Sequence, residues 1–143
     1  MHPFKTRTLR GFLLFDIDGV IRDVSASYRL AIQETVAHFT QWKPSQQNID
    51  SLKNEGIWNN DWDASLELIK RNKKLNQSCL PIPNKKDLIE IFNQFYFGCD
   101  PREKQSEWVG FIKNETLLVN TNFFQQLTEL GFKWGFLSGA EPE

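Results

Sequence analysis

The sequence predicts an α/β protein in which a partial parallel-sheet core carries an inserted α-helical cap. Two short apolar runs, residues 11–17 and 132–137, are typical of strands buried on both faces. Helical periodicity fills most of the chain between these two runs. A length of 143 residues, with 12 Phe and 5 Trp, suits one domain with a modest insertion.

The first strand runs from Gly11 to Ile17, and Gly19 directly afterwards permits a sharp turn. From Ser25 onward the apolar residues recur at steps of three and four, which predicts one face of a helix. Pro44 ends that helix. The residues on the apolar face are Tyr28, Ala31, Ile32, Thr35, Val36 and Phe39.

Two further helices are expected between Pro44 and about residue 75. A short helix opens after Pro44, carries Ile49, and ends at Gly56. Asp61 is predicted to cap the next helix, which spans about residues 62–75 and has basic residues near its end, where they suit the helix dipole.

Two more helices follow before the second strand. Asn84 resembles the start of a capping box, and Gly98 is placed to end the helix that it opens. Asn120 or Asn122 is predicted to cap a last helix that ends at Gly131. The apolar run that follows then supplies the second strand.

The stretch between the two strands is much longer than a crossover connection requires. We therefore expect residues 23–107 to form the helical cap, and residues 1–22 with 108–143 to form the partial core. Two strands are too few for a complete sheet buried on both faces. Either the sequence is truncated or the sheet holds strands that periodicity does not reveal.

Composition excludes several classes of function. Seventeen basic and 18 acidic residues leave a net charge of −1, so neither nucleic acid nor anionic lipid is an expected partner. No apolar stretch approaches the length of a membrane span. Cys79 and Cys99 lie twenty positions apart and are expected to be separate reduced thiols. These features predict a cytoplasmic protein.

Asp16 and Asp18 follow the first strand at the point where α/β proteins place their ligand sites. Side chains two apart on an extended strand point the same way, and paired carboxylates suit Mg²⁺. One carboxylate could attack phosphorus while the other transfers protons. An ordinary turn is the alternative. A calcium loop is excluded, because Ile21 and Ser27 stand where Gly and Glu are needed.

The apolar run before Asp16-x-Asp18-Gly19, the helical insert and a second strand ending in Ser138-Gly139 resemble the haloacid dehalogenase (HAD)-like hydrolase superfamily. The resemblance implies a Rossmann-like core, Asp16 as nucleophile and Asp18 as acid/base. It also implies Mg²⁺ on these two aspartates, and phosphate binding by Gly19, Ser138 and Gly139.

Stretches along nearly the whole chain are similar to phosphoglycolate-phosphatase-like members with a helical cap, subfamily IA. These are Asp18-Gly-Val-Ile-Arg-Asp-Val, Lys53-Asn-Glu-Gly, Asn59-Asn-Asp-Trp and 137–142. Dehalogenases lack the second aspartate, so Asp18 favours phosphoryl transfer. The superfamily's later Lys and acidic motifs have no counterpart here, so the sequence is expected to be an N-terminal portion.

Other polar residues are weaker candidates for the site. Asn59, Asn60 and Asp61 are either a substrate loop from the cap or a helix start, and the two interpretations are weighted equally. Arg22 and Arg29 are lower-ranked candidates for contacting a phosphate, because arginines at such positions are more often solvated helix charges.

The leading prediction is a Mg²⁺-dependent phosphohydrolase that acts on a small phosphorylated metabolite through an aspartyl-phosphate intermediate. The alternatives are a catalytically inactive truncated protein, a helical module that binds a partner, or a phosphotransferase with the same chemistry. Whether the chain is itself an active enzyme is left open, because the later motifs are missing. Aromatic residues left uncovered also make a homo-oligomer possible.

Overall fold

The computed structural model describes residues 8–77 and 79–138. The predicted α/β class is confirmed, since the described residues combine α-helices with a small parallel sheet. The strands are β1 (Gly11–Asp16), β2 (Arg22–Asp23), β3 (Thr116–Leu117) and β4 (Phe132–Leu137). The helices are α1 (Tyr28–Thr40), α2 (Gln46–Lys53), α3 (Asp61–Asn76), α4 (Lys85–Tyr96) and α5 (Phe123–Glu129), with 3₁₀ turns at Gln105–Glu107 and Phe111–Asn114. Among these residues, no helix is long and apolar enough to cross a bilayer.

Contacts divide the chain into two compact units. Val24–Glu115 forms the helical unit, and the segments on either side of it form the sheet unit. The second boundary lies beyond the expected 107, because residues 108–115 pack with the helices. The N–H groups of Val109 and Gly110 both donate to the Phe97 carbonyl at 2.8 Å.

The sheet unit is built on the parallel pairing of β1 with β4. The register runs from Gly11 opposite Phe132 to Asp16 opposite Leu137. Both strands are mostly apolar and free of proline, so both can form the ladder along their full length. The two strands predicted from the apolar runs are confirmed, with the first ending one residue earlier than expected.

One face of this sheet packs on α5. The Phe15 ring meets the rings of Phe123 and Phe124 edge-on, with centroids 5.7 and 5.8 Å apart. The Trp134 indole N–H donates to the Phe124 carbonyl at 3.1 Å. The opposite face is apolar and uncovered among the described residues. Its exposed side chains are Phe12 (70%), Leu14 (71%) and Leu137 (66%).

The ends of α5 differ in part from expectation. Gly131 ends the helix as predicted, with a φ of +90°. Neither predicted asparagine caps it. Asn122 makes no side-chain cap bond, and the Asn120 side chain instead accepts from the Asn122 N–H at 2.6 Å, which fixes the turn ahead of the helix.

A second pair of strands was not predicted. β2 and β3 pair antiparallel through Arg22 opposite Leu117 and Asp23 opposite Thr116. Each strand has two residues, which is too short for an alternating pattern to be recognised in a sequence. The sheet unit therefore contains more strands than periodicity indicates.

The helical unit has a core made by the apolar faces of α1–α4, and the periodicity predicted for α1 is confirmed. Ala31, Ile32, Thr35 and Val36 are fully buried, and Thr35 places a hydroxyl within this core. The other buried apolar members are Ile49, Leu52, Ala64, Leu68, Ile69, Leu88 and Phe92.

The start of α3 corrects a prediction. Asn60, and not Asp61, is the N-cap, since its side-chain oxygen accepts from the N–H groups of Trp62 and Asp63 at 3.0 and 3.1 Å. Asp61 begins the helix and pairs with the Lys53 ammonium at 2.5 Å. The predicted cap at Asn84 is confirmed.

A cluster of charges joins the end of α2 to α3. The Arg71 guanidinium donates two hydrogen bonds to the Glu55 carboxylate, at 2.6 and 2.8 Å, and one to Glu67 at 2.8 Å. The Trp58 indole N–H also donates to Glu55, at 2.8 Å. The bonds from Arg71, followed by the bond from Trp58, lower the pKa of Glu55 to about 2.

We predict that Gly98→Ala destabilises the protein more than Gly56→Ala. Gly98 has a φ of +77° and Gly56 has a φ of +78°. An alanine in this left-handed conformation lowers the free energy of unfolding by about 1–2 kcal/mol. A Cβ at Gly98 would also lie 2.6 Å from the Gly110 nitrogen, whereas nothing lies within 4 Å at Gly56. The clash should lower the free energy of unfolding by about a further 1–3 kcal/mol. Urea denaturation followed by circular dichroism at 222 nm measures the free energy of unfolding of both variants. Equal losses of that free energy in the two variants would contradict the clash.

We predict that Glu55→Gln flattens the acid dependence of stability. The pKa of Glu55 is lowered in the folded state, so its stabilising effect is present above the unfolded pKa of 4.5 and is lost as the pH falls toward about 2. Between pH 4.5 and about 2, the urea midpoint of Glu55→Gln should therefore change less than that of the wild type. Glu90→Gln is the control, because Glu90 makes no ion pair among the described residues. An unchanged pH profile in Glu55→Gln would refute the linkage.

Candidate functional site

The candidate site lies where β1 and β4 end side by side. Asp16 is the last residue of β1 and stands opposite Leu137, the last residue of β4. Ser138 follows immediately and is exposed. Because the two strands are parallel, both chains leave the sheet at the same edge, which is where α/β folds bind ligands. The pairing therefore brings two of the predicted site segments together.

A tight loop follows β1 and positions the second aspartate. The Ile17 carbonyl accepts from the N–H groups of Val20, Ile21 and Arg22 at 3.3, 2.9 and 3.0 Å. Gly19 turns the chain with a φ of +76°. The predicted sharp turn at Gly19 is confirmed, because a left-handed residue is needed there.

Both aspartates are exposed, on either side of the half-buried Ile17. One Asp16 carboxylate oxygen accepts from the Ile17 N–H at 2.8 Å. One Asp18 oxygen accepts from the Arg22 guanidinium at 2.9 Å, and these two side chains are 51% and 38% exposed. Arg22 was a weak candidate for contacting phosphate, and the structure assigns its guanidinium to Asp18.

The donor set suits a hard cation only in part. Asp16 and Asp18 offer carboxylate oxygens, which are the atoms that Mg²⁺ prefers. Among the described residues, no group of three or more His, Cys, Asp or Glu side chains could hold a metal. Mg²⁺ commonly binds through one or two carboxylates, with water and phosphate oxygens completing its shell. The two aspartates fit that pattern, and the ligand would have to supply the rest.

The other predicted site residues are distributed as follows. Gly139 lies outside the described residues. Asn59, Asn60 and Asp61 form the start of α3, where Lys53 donates to the Asn59 carbonyl at 3.1 Å in addition to pairing with Asp61. Their polar atoms therefore serve the helix start, and a substrate-loop role stays a prediction.

Arg29, the other weak candidate for contacting phosphate, lies on α1. Its guanidinium pairs with the Asp50 carboxylate and reaches the Gln46 side-chain oxygen at 3.4 Å. Both partners belong to α2, so Arg29 links these two helices within the helical unit.

Comparison with known proteins gives two informative matches, and no family model matches the chain. Over 115 residues the chain is 44% identical to an imidazoleglycerol-phosphate dehydratase from Phytophthora nicotianae. The match covers 80% of this chain and 23% of that protein, so the chain spans about a quarter of its curated relative.

The second match is structural. Phosphatase Tt82 from Thermococcus thioreducens superimposes with a TM-score of 0.64 at 20% identity, covering 91% of this chain and 63% of that one. At this identity the likeness concerns the fold alone. The chain thus shares the fold of a phosphatase.

These matches correct the predicted function. The relative at 44% identity is named a dehydratase, and dehydratases eliminate water instead of transferring a phosphoryl group to it. The prediction of a Mg²⁺-dependent phosphohydrolase is contradicted by this finding, and so is the assignment to the hydrolases. A shared fold does not preserve the reaction, because chemistry depends on the site and not on the scaffold.

Proposed function

We propose that this chain forms a phosphate-ester and cation binding segment of a longer protein that dehydrates a phosphorylated alcohol. The observation that carries the proposal is the 44% identity over 115 residues to a protein named imidazoleglycerol-phosphate dehydratase. That name describes a compound with an imidazole ring, a glycerol chain and a phosphate. A phosphate site is therefore the feature to test in this chain.

The end of β1 supports such a site. The loop that turns at Gly19 lies beside two exposed carboxylates, and the Ser138 hydroxyl follows the neighbouring strand. Hydroxyl and backbone N–H groups are common partners of phosphate oxygens. Gly139, which follows Ser138, completes the set of residues that we assign to phosphate binding.

Charge explains why a cation belongs to the proposal. Asp16, Asp18 and Arg22 together carry one net negative charge, which repels a phosphate ester. We assign Asp16 and Asp18 to Mg²⁺ binding, and Mg²⁺ when bound would reverse the local charge and offer coordination positions to phosphate oxygens. Binding of the ester should then depend on the cation.

The uncovered face of the sheet supports a role within a longer protein. Phe12, Leu14 and Leu137 are at least 66% exposed, whereas parallel sheets are normally covered on both faces. The curated relative has about four times the length of the match, so it contains chain that could cover such a face. We also propose that the shared fold is the haloacid dehalogenase-like one with a helical cap, as a statement about fold and not activity.

We predict that Asp16→Asn weakens Mg²⁺-dependent binding of imidazoleglycerol phosphate at least tenfold. The substitution removes one anionic ligand of the cation while preserving the size of the side chain. Isothermal titration in Mg²⁺ and in EDTA measures the effect. Wild-type protein should bind the ester only in Mg²⁺, and glycerol phosphate should bind through the same phosphate group.

Asp100→Asn is the control for the loss of one exposed carboxylate, because Asp100 belongs to the helical unit and pairs with Arg102 at 2.5 Å. Its binding should equal that of the wild type. The assigned cation site would be refuted if the wild type bound the ester equally well in EDTA and in Mg²⁺. It would also be refuted if Asp16→Asn bound the ester with full affinity in Mg²⁺. The ligand should be recovered intact, and sustained release of inorganic phosphate would show that it is cleaved and not simply held.

A further inference from the structure

An exposed leucine stands beside the ion pair of Arg22 and Asp18. Leu117 belongs to β3 and lies directly opposite Arg22 of β2 in their antiparallel register. Residues that are directly opposite in an antiparallel pair project their side chains from the same face, and their Cα atoms are about 4.5–5.5 Å apart. The Leu117 side chain therefore lies on the face from which the Arg22 guanidinium reaches Asp18 at 2.9 Å.

Leu117 is one of three exposed aliphatic side chains around this short pair of strands. It is 64% exposed, and Leu118 and Val20 are 52% and 45% exposed. The Leu118 N–H donates to the Ile21 carbonyl at 2.8 Å, and Val20 precedes Ile21 in the chain. A single exposed leucine is ordinary, whereas three aliphatic side chains on adjoining backbone form an apolar patch. This patch is open to solvent in the part of the chain that the structure describes.

The position of the patch indicates which part of a ligand it meets. Asp18 is one of the two carboxylates that we assign to the cation of the phosphate site. Its bond to Arg22 and the pairing of β2 with β3 place Leu117 about one arginine side chain away from that carboxylate. The organic group of a small phosphate ester extends over a similar distance, so it can contact Leu117 while the phosphate stays on the cation.

We propose that Leu117 selects phosphate esters by the polarity of their organic group, and that it favours an apolar or aromatic group over a hydroxylated one. The proposal rests on the proposed phosphate site and adds the substrate class of that site. An apolar group packed on Leu117 removes the surface of both from water, whereas a hydroxylated group packed there would lose hydrogen bonds to water. Arg22 and Asp18 together carry no net charge, so they do not oppose a neutral group beside them.

The test compares benzyl phosphate with glycerol phosphate, which carry the same phosphate group, by isothermal titration of the whole chain in Mg²⁺. The wild type should bind benzyl phosphate at least fivefold more tightly than glycerol phosphate. Leu117→Ser should weaken the binding of benzyl phosphate at least threefold and leave the binding of glycerol phosphate unchanged. The unchanged affinity would also show that the phosphate site of the variant is folded.

Leu130→Ser is the matched control. Leu130 is a 53% exposed leucine of the same unit, but it precedes β4, whereas the proposed phosphate site lies where β4 ends. This variant should bind both esters as the wild type does.

Three results would overturn the role of Leu117 and leave the phosphate site standing. These are equal binding of the two esters by the wild type, an unchanged preference in Leu117→Ser, and an equal weakening of both esters in that variant. The last result would make Leu117 a structural residue. If the wild type bound neither ester in Mg²⁺, the proposed phosphate site would fail, and this proposal would fail with it.

Discussion

The parallel pairing of β1 with β4 is the constraint on which the sheet unit depends. It joins two segments from opposite ends of the described chain, with the whole helical unit between them in sequence. Closing so long a loop costs little more entropy than closing one of half its length. The ladder and the aromatic packing of Phe15 and Phe124 must offset that cost. Only when the ladder forms do Asp16 and Ser138 lie at one edge.

The helical unit is organised by backbone requirements as much as by its core. Asn60 and Asn84 satisfy the free N–H groups at the starts of α3 and α4. Gly98 and Gly110 approach so closely that neither position has room for a side chain. The asparagines therefore begin helices, and the glycines allow two backbone segments to approach closely, although both residue types are also common at functional sites. This explains why the Asn59–Asp61 segment was equally compatible with a substrate loop.

The structural neighbour and the sequence relative of this chain are named for different reactions. The fold is shared with a phosphatase at 20% identity, whereas the relative at 44% identity is named a dehydratase. Two aspartates and a glycine after a strand account for a turn and a patch of negative charge. They do not dictate which bond of a bound phosphate ester is broken. The prediction of hydrolysis came from the Asp16-x-Asp18-Gly19 motif and a family resemblance, and the match to a dehydratase contradicts it.

By itself, the sequence determined the α/β class, the two long strands, the apolar face of α1 and the turn at Gly19. These follow from periodicity and backbone freedom, which are local properties. Tertiary structure alone decided the short β2–β3 pair, the ion pair of Arg22 with Asp18, and the cap at Asn60 in place of Asp61. Such contacts depend on which segments meet, and residues far apart in sequence carry no periodic signal of their meeting.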